Sequence, residues 1–245
     1  MALKSVASGV FAESHGSWPP RVVALHGWAR RGSDFDAVLT GLDAIALDLP
    51  GFGASPAPIE PCGARGYAEL LAPLVGSLPD PPVLVGHSFG GRVALCLATA
   101  VPVRGLVLTG VPLVRRKSAR SPSFGFRLVR WANRVGLISD ERMERERRAR
   151  GSDDYRAATG VMRDVLVAAI NESYEDELSN IRVPVSMLWG ADDREVPPSV
   201  ADDARIVLES QGTPVGVTTL DGVGHLVPTQ APAQLRAVID EMLER

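Results

Sequence analysis

The chain has 245 residues, of which 45% are hydrophobic and 22% are charged, and its net charge is −3 at pH 7. This length and aliphatic content predict one well-buried α/β domain and exclude a disordered chain or a disulfide-stapled miniprotein. The two cysteines suit a reducing cytoplasm, and the four dispersed histidines show no zinc-ligand spacing. Without an apolar run of 18 residues or a secretory signal, the sequence predicts a cytoplasmic protein that does not enter a membrane.

Short aliphatic runs alternate with helix-sized segments along most of the chain. Strands are predicted, in chain order, at Arg21–Leu25, Ala44–Leu47, Val83–Gly86, Gly105–Thr109, Val185–Trp189 and Val215–Leu220. Helices are predicted between and after them at Asp34–Leu39, Tyr67–Leu78, Gly90–Ala100, Ser199–Ser210 and Pro232–Glu244. Most of the strands are near-continuous runs of Val, Leu and Ile, as in parallel strands that are covered on both faces. The repeated strand–helix–strand units predict right-handed crossovers and a mostly parallel sheet.

The alternation stops between about Pro112 and Ile181. Helical stretches without a strand are predicted there, near Phe126–Val135, Asp140–Arg150 and Asp154–Asn171. We expect this insertion to form a helical cap over the carboxyl end of the sheet, where open α/β sheets bind ligands. The predicted division is a core domain at residues 1–111 and 182–245 and a cap at residues 112–181.

The insertion contains a basic block in an otherwise acidic chain. Residues 115–163 hold 13 Arg and one Lys against six acidic residues. One interpretation is a solvated helix face with local ion pairs. The other is a docking surface for an anionic partner, such as an acidic carrier protein or a charged ester. Nucleic acid is not an expected partner, because the whole chain is acidic and has no nucleic-acid-binding motif.

The sequence GHSFGG at residues 86–91 lies between a predicted strand and a predicted helix. A G-x-S-x-G pattern in this context places a serine on a sharp, strained turn with its hydroxyl exposed, so Ser88 is the predicted nucleophile. Because the turn opens a helix, the N–H of Phe89 and the helix dipole can stabilise a developing oxyanion.

A serine nucleophile needs a base, and the base needs an orienting acid. His225 lies on a glycine-flanked loop after the last predicted strand and is the predicted base. The acid candidates are Asp192 and Asp193, in the loop that follows the strand at residues 185–189, and spacing does not choose between them.

The sequence His26-Gly27-Trp28 follows the first predicted strand. The second oxyanion donor of such sites is a backbone N–H in this loop, which here is the N–H of Trp28. The side chain of His26 is predicted to be buried and to tie the loop together by hydrogen bonds.

Five motifs, in this order, resemble the α/β-hydrolase superfamily over essentially the whole chain. They are HGW at 26–28, DLPGFG at 48–53, GHSFGG at 86–91, WGADDREVP at 189–197 and GVGH at 222–225. The resemblance implies an α/β-hydrolase fold, with a mostly parallel central sheet flanked by helices and a small helical cap. It also implies that Asp193 is the triad acid, because relatives with G-x-x-D-R-x-V-P use the Asp just before the Arg.

Within the superfamily, the chain resembles the serine esterases and is nearest in pattern to the pimeloyl-carrier-protein methyl ester esterases. Members of that group use cap arginines to hold an acidic carrier protein. The chain departs from the group at His87, where a Trp is expected. It also departs from the meta-cleavage carbon–carbon hydrolases, which typically have Asn before the serine and Trp after the histidine, whereas this chain has His87 and Leu226.

The predicted function is therefore a serine hydrolase that cleaves a small-molecule carboxylic ester through an acyl-enzyme. Its triad is Ser88, His225 and Asp193, and its oxyanion hole is formed by the N–H groups of Trp28 and Phe89. The alternatives are a carbon–carbon bond hydrolase of the meta-cleavage type and a non-catalytic ligand receptor on the same fold. No cofactor or metal is predicted, because the motifs supply nucleophile, base and oxyanion donors.

Such sites have mostly apolar substrate pockets. The residues predicted to line this pocket are Trp28, Phe124, Trp131 and Met162.

Overall fold

The computed structural model describes residues 2–7, 9–114 and 153–245. Its strands are β1 (Ala2–Ala7), β2 (Val10–His15), β3 (Val22–Leu25), β4 (Ala44–Asp48), β5 (Val83–His87), β6 (Gly105–Thr109), β7 (Val185–Gly190) and β8 (Val215–Leu220). They form an eight-stranded sheet in the order β1-β2-β4-β3-β5-β6-β7-β8. Every pair from β4 to β8 is parallel, whereas β2 pairs antiparallel with β1 and β4. The mostly parallel α/β fold predicted from the sequence is confirmed.

The described helices lie on both faces of this sheet or at its edge. After a 3-10 turn at Gly32–Phe35 they are α1 (Asp36–Leu39), α2 (Ala64–Gly76), α3 (Phe89–Ala100), α4 (Asp153–Ala157), α5 (Gly160–Asn171), α6 (Glu175–Asn180), α7 (Ser199–Ser210), α8 (Val227–Gln230) and α9 (Pro232–Glu244). Within residues 2–7, 9–114 and 153–245, no helix combines the length and apolar character needed to cross a bilayer.

Two core layers cover the central strands, because successive side chains of a strand point to opposite faces. In β3, Val23 and Leu25 pack in the layer that includes α2, α3 and α7. Val22 and Ala24 pack in the other layer, with α1 and α9. All four side chains have 0% exposure, which explains the continuous aliphatic run of this strand.

The antiparallel hairpin formed by β1 and β2 was not predicted. In β2, with the sequence VFAESH, buried and partly exposed residues are mixed. Val10 and Ala12 are buried, whereas Phe11 and Glu13 are partly exposed. A strand covered mainly on one face lacks the aliphatic run by which the parallel strands are recognised.

The predicted helix at Asp154–Asn171 is wrong in one respect, because the structure divides it into α4 and α5. Thr159 between them has extended backbone angles, φ −132° and ψ 160°, and acts as the N-cap residue of α5. The helices predicted at residues 126–135 and 140–150 lie outside the described residues. The division into core and cap therefore stays a prediction.

Polar contacts join the segment after α5 to the start of α2. The Glu172 carboxylate accepts hydrogen bonds from the Ala64 N–H at 2.8 Å and from the Tyr174 hydroxyl at 2.8 Å. Arg65 forms an ion pair with Glu177. The described end of the predicted insertion is thereby fixed to the core.

The parallel strands bring their carboxyl ends to one edge of the sheet. The loops that leave β3, β5, β7 and β8 at this edge carry all five residues predicted for the triad and the oxyanion hole. This is the edge at which open α/β sheets bind ligands.

Candidate active site

Ser88 lies at the turn from β5 to α3, with φ 50° and ψ −113°. Apart from glycines, Ser88 and Ala29 are the residues with positive φ in the described part of the chain. Holding a serine in this region costs about 1–3 kcal/mol, and such strain is concentrated at functional sites. The Ser88 N–H donates a hydrogen bond of 3.0 Å to the Thr109 carbonyl, which anchors the turn to β6.

Gly90 allows the first turn of α3 to approach the end of β3. A Cβ at this position would lie 2.2 Å from the Leu25 carbonyl oxygen and 2.5 Å from that of His26. Only glycine leaves room for this contact. The first turn of the helix therefore lies against the loop that carries Trp28.

Two backbone donors are available at this contact. The N–H of Phe89 is the first of α3 and has no intrahelical acceptor. The N–H of Trp28 has no hydrogen-bond acceptor among the described residues. The rings of these two residues lie edge to face with centroids 5.6 Å apart. The two adjacent loops thus present two N–H groups that could donate hydrogen bonds to one ligand oxygen.

His225 and Asp193 form a hydrogen-bonded pair, with 2.7 Å between Nδ1 and Oδ2. The Asp193 side chain is 1% exposed. Its Oδ1 accepts hydrogen bonds from the N–H groups of Glu195 at 2.9 Å and Val196 at 2.8 Å. Because the carboxylate accepts a hydrogen bond from Nδ1–H, Nε2 is left as the nitrogen that can act as a base. Asp192 is exposed, so the structure brings Asp193 rather than Asp192 to the imidazole.

Ser88 and His225 share the sheet edge, but no hydrogen bond joins their side chains among the described contacts. The Nε2 of His225 lies 3.7 Å from a carboxylate oxygen of Glu195, whose side chain is 71% exposed. Catalytic hydrogen bonds are often long or poorly aligned without substrate and tighten in the complex. The predicted base and the predicted acid are thus in direct contact, while the predicted nucleophile follows β5, which β6 separates from β7 in the sheet.

His87 connects the turn at Ser88 to the loop that carries His225. Its Nε2–H donates a hydrogen bond of 3.0 Å to the backbone carbonyl of His225, and the two rings have centroids 4.9 Å apart. Burial, together with the nearby His225, lowers the pKa of His87 from 6.5 to about 3. The sequence motifs indicate no role for His87 beyond its departure from a family pattern. A polar residue at the end of a buried strand was the signal for this contact.

His26 is a buried structural residue. Its Nδ1–H donates to the Gly27 carbonyl at 2.7 Å, and its Nε2 accepts from the Leu49 N–H at 2.9 Å. Burial lowers the pKa of His26 to about 4, so the ring is neutral near pH 7. These contacts agree with the role predicted for its side chain, because they join the Trp28 loop to the end of β4.

Two of the four predicted pocket residues are described. Trp28 packs edge to face on Phe52 with centroids 4.9 Å apart, in addition to its contact with Phe89. Met162 on α5 places its sulfur 4.0 Å from the hydroxyl of Tyr67. Both residues are partly exposed, Trp28 on the core loop and Met162 on the described part of the insertion.

Phe124 and Trp131, the other predicted pocket residues, lie outside the described residues, as does most of the arginine-rich block. Docking of an acidic carrier protein on that block stays a prediction. In the described ranges, no three His, Cys, Asp or Glu side chains are grouped so that they could hold a metal ion.

A family model described as the alpha/beta hydrolase family matches residues 22–238. The chain belongs to the alpha/beta hydrolase family. This match and the observed sheet confirm the superfamily that the five motifs indicated.

Proteins with several different names are similar to the chain. A non-heme chloroperoxidase of Streptomyces lividans is 31% identical, over 74% of this chain and 78% of that protein. A pimeloyl-[acyl-carrier protein] methyl ester esterase of Vibrio campbellii is 28% identical, over 78% of this chain and 83% of that protein. The crystal structure of an esterase from Mycobacterium tuberculosis covers the whole chain and 91% of its own chain, with a TM-score of 0.67 and 23% identity.

Proposed function

We propose that this alpha/beta hydrolase is a serine esterase, which cleaves small-molecule carboxylic esters through an acyl-enzyme. The observation that carries the proposal is the 2.7 Å hydrogen bond between His225 and the buried Asp193, on the same sheet edge as the strained Ser88. An imidazole held on one nitrogen by a buried carboxylate is the arrangement that activates a serine hydroxyl.

In the proposed reaction, Nε2 of His225 takes the proton of the Ser88 hydroxyl as the serine oxygen attacks the ester carbonyl carbon. The carbonyl oxygen becomes an oxyanion, which accepts hydrogen bonds from the N–H groups of Trp28 and Phe89. The imidazolium then gives its proton to the leaving alcohol as the carbon–oxygen bond breaks. Water, activated by the same imidazole, attacks the acyl-enzyme and releases the acid.

Asp193 has two roles in this scheme. Its Oδ2 fixes the tautomer and the orientation of His225, and its negative charge stabilises the imidazolium that forms during each half-reaction. The hydrogen bonds that Oδ1 accepts from the backbone hold the carboxylate in place without competing for the imidazole.

The names of the relatives support an ester as the substrate. The Vibrio campbellii relative is named for the cleavage of a methyl ester, and the Mycobacterium tuberculosis structure is that of an esterase. The partly exposed Trp28 and Met162 are suitable apolar contacts for an acyl group.

The test compares the wild-type protein with Ser88→Ala on a panel of p-nitrophenyl esters. Ser210→Ala serves as the control, because Ser210 is exposed at the end of α7. We expect Ser88→Ala to lose several orders of magnitude in kcat and Ser210→Ala to match the wild type. Mass spectrometry of the quenched wild-type reaction should show one acyl group on Ser88.

Three outcomes would contradict the proposal. Equal ester hydrolysis by Ser88→Ala and the wild type would show that Ser88 is not the nucleophile. Turnover of a ring-fission diketone without ester hydrolysis would select the carbon–carbon hydrolase. Ligand-induced thermal stabilisation without any product would select the receptor.

A further inference from the structure

His87 has no part in the chemistry proposed above, yet its side chain is placed between the groups that perform it. The residue directly precedes Ser88 at the end of β5 and is 3% exposed. Such a buried polar side chain is normally retained only where its hydrogen bonds are satisfied. Its contacts therefore indicate what it does.

We infer that His87 is a positioning residue, whose Nε2–H holds the backbone carbonyl of His225 and thereby fixes the base relative to Ser88. The inference rests on the proposed serine-hydrolase mechanism. It adds a second point of attachment for the base, since Asp193 fixes the imidazole side chain and His87 fixes the backbone of the same residue.

The loop that carries His225 is attached on one side to the loop after β7, since the Asp192 N–H donates a hydrogen bond of 2.9 Å to the Val223 carbonyl. Gly222 in this loop has φ +71°, and Gly224 directly precedes His225. The His225 carbonyl also accepts the N–H of Val227 at 3.0 Å, but Val227 follows in the same segment. The bond from His87 joins residues 138 positions apart and links the loop to the strand that ends at the nucleophile.

The direction of this bond determines the state of the His87 ring. A carbonyl oxygen can only accept, so Nε2 must carry the hydrogen and Nδ1 is bare in the neutral ring. The Nδ1 edge faces Gly27, where a Cβ would lie 2.7 Å from that nitrogen. The ring therefore lies between the loop of the oxyanion donor Trp28 and the loop of the base.

A neutral ring at this place also suits the charge that develops during the reaction. The His225 ring is 4.9 Å away and becomes positively charged when it takes the serine proton. With a pKa lowered to about 3 by burial, His87 carries no charge at working pH and does not oppose that step.

The experiment compares His87→Gln with His87→Met. The two side chains have similar length, but only the glutamine amide can donate to the His225 carbonyl. We expect His87→Met to lose about 10²-fold in kcat, which is the order of effect of a small misplacement of a reacting group, with KM within threefold of the wild type. The kcat of His87→Gln should be at least tenfold higher than that of His87→Met.

The rate at which a fluorophosphonate labels Ser88 is the second readout, because it needs the base but no particular ester. It should fall with His87→Met and recover with His87→Gln. Circular dichroism melts establish that each variant is folded. Should His87→Met not fold, His87→Asn replaces it, since its amide is one methylene shorter and does not reach the carbonyl.

The outcomes separate this inference from the proposed function. A wild-type protein that neither hydrolyses esters nor labels at Ser88 would overturn the proposed function. An active wild type with a folded His87→Met of equal kcat and equal labelling rate would overturn only the positioning role. Equal losses in the Gln and Met variants would also overturn it, because they would assign the effect to packing.

Discussion

Lowering the pH from 7 to 5 should destabilise the protein through two buried histidines. His26 and His87 are 1% and 3% exposed, and burial lowers their pKa values from 6.5 to about 4 and about 3. Below pH 6.5 the unfolded chain binds a proton at each histidine, whereas the folded chain does not until the pH reaches the lower values. The free energy of unfolding therefore decreases as the pH falls through this window.

The size of the decrease follows from the two pairs of pKa values. At pH 5 protonation favours the unfolded state about 30-fold at each histidine, or about 2 kcal/mol, compared with about 0.2 kcal/mol at pH 7. His26 and His87 together should lower the free energy of unfolding by about 4 kcal/mol between pH 7 and pH 5. A typical domain has about 5–15 kcal/mol in total, so the effect is large enough to measure.

Urea unfolding at pH 7, 6 and 5 measures this decrease. His87→Gln removes one of these two histidines, so the decrease between pH 7 and pH 5 should be about 2 kcal/mol smaller than in the wild type. The reasoning would be refuted if the wild type changed by less than about 1 kcal/mol, or if the variant lost as much stability as the wild type. The ring-proton resonances of His26 and His87 should also stay constant from pH 7 to pH 5.

Two further predictions compare neighbouring or chemically equivalent positions. Asp193→Asn should lower kcat on esters about 10⁴-fold, because the amide favours the wrong imidazole tautomer. The control Asp192→Asn should keep kcat within about twofold of the wild type. Equal losses of kcat in the two variants would contradict the assignment of Asp193 as the acid. Gly90→Ala should lower the free energy of unfolding by roughly 1–3 kcal/mol, because its Cβ would lie 2.2 Å from the Leu25 carbonyl. Gly216→Ala, which has no atom within 4 Å of its Cβ, should not unfold at a lower urea concentration than the wild type, and a similar loss in both glycine variants would contradict the steric argument.

The fold was largely predictable because its central strands are buried on both faces. The strands β3 to β8 were all predicted, and most have near-continuous aliphatic runs that carry their own signal. The hairpin of β1 and β2 has no such run, and its place in the sheet depends on pairing with β4. Its recognition needs tertiary information that a local pattern does not contain.

The candidate site was predictable where its residues are adjacent in the sequence. The turn at Ser88 is formed by residues that are adjacent in the sequence, so a short motif identifies it. The choice between Asp192 and Asp193 depends on how one loop folds, since Asp193 is buried with its carboxylate at His225, whereas Asp192 faces solvent. Spacing along the chain cannot distinguish two adjacent carboxylates.

The sequence marks His87 as a polar residue at the end of a buried strand but does not identify His225 as its partner. Their contact joins a side chain to a backbone carbonyl 138 positions away, and a carbonyl is present at every residue. A sequence pattern can identify the donor but gives no information about which carbonyl accepts.

The groups that orient His225 come from the ends of the parallel strands. Asp193 follows β7 and His87 ends β5, and no described contact of the imidazole comes from the helices at residues 153–180. In the proposed mechanism, the bond-breaking groups thus come from the loops at the strand ends, whereas the predicted substrate contacts come from both Trp28 on a core loop and Met162 on α5. Relatives could acquire new specificities by exchanging the segment between β6 and β7, while inheriting the reactive groups at the strand ends intact.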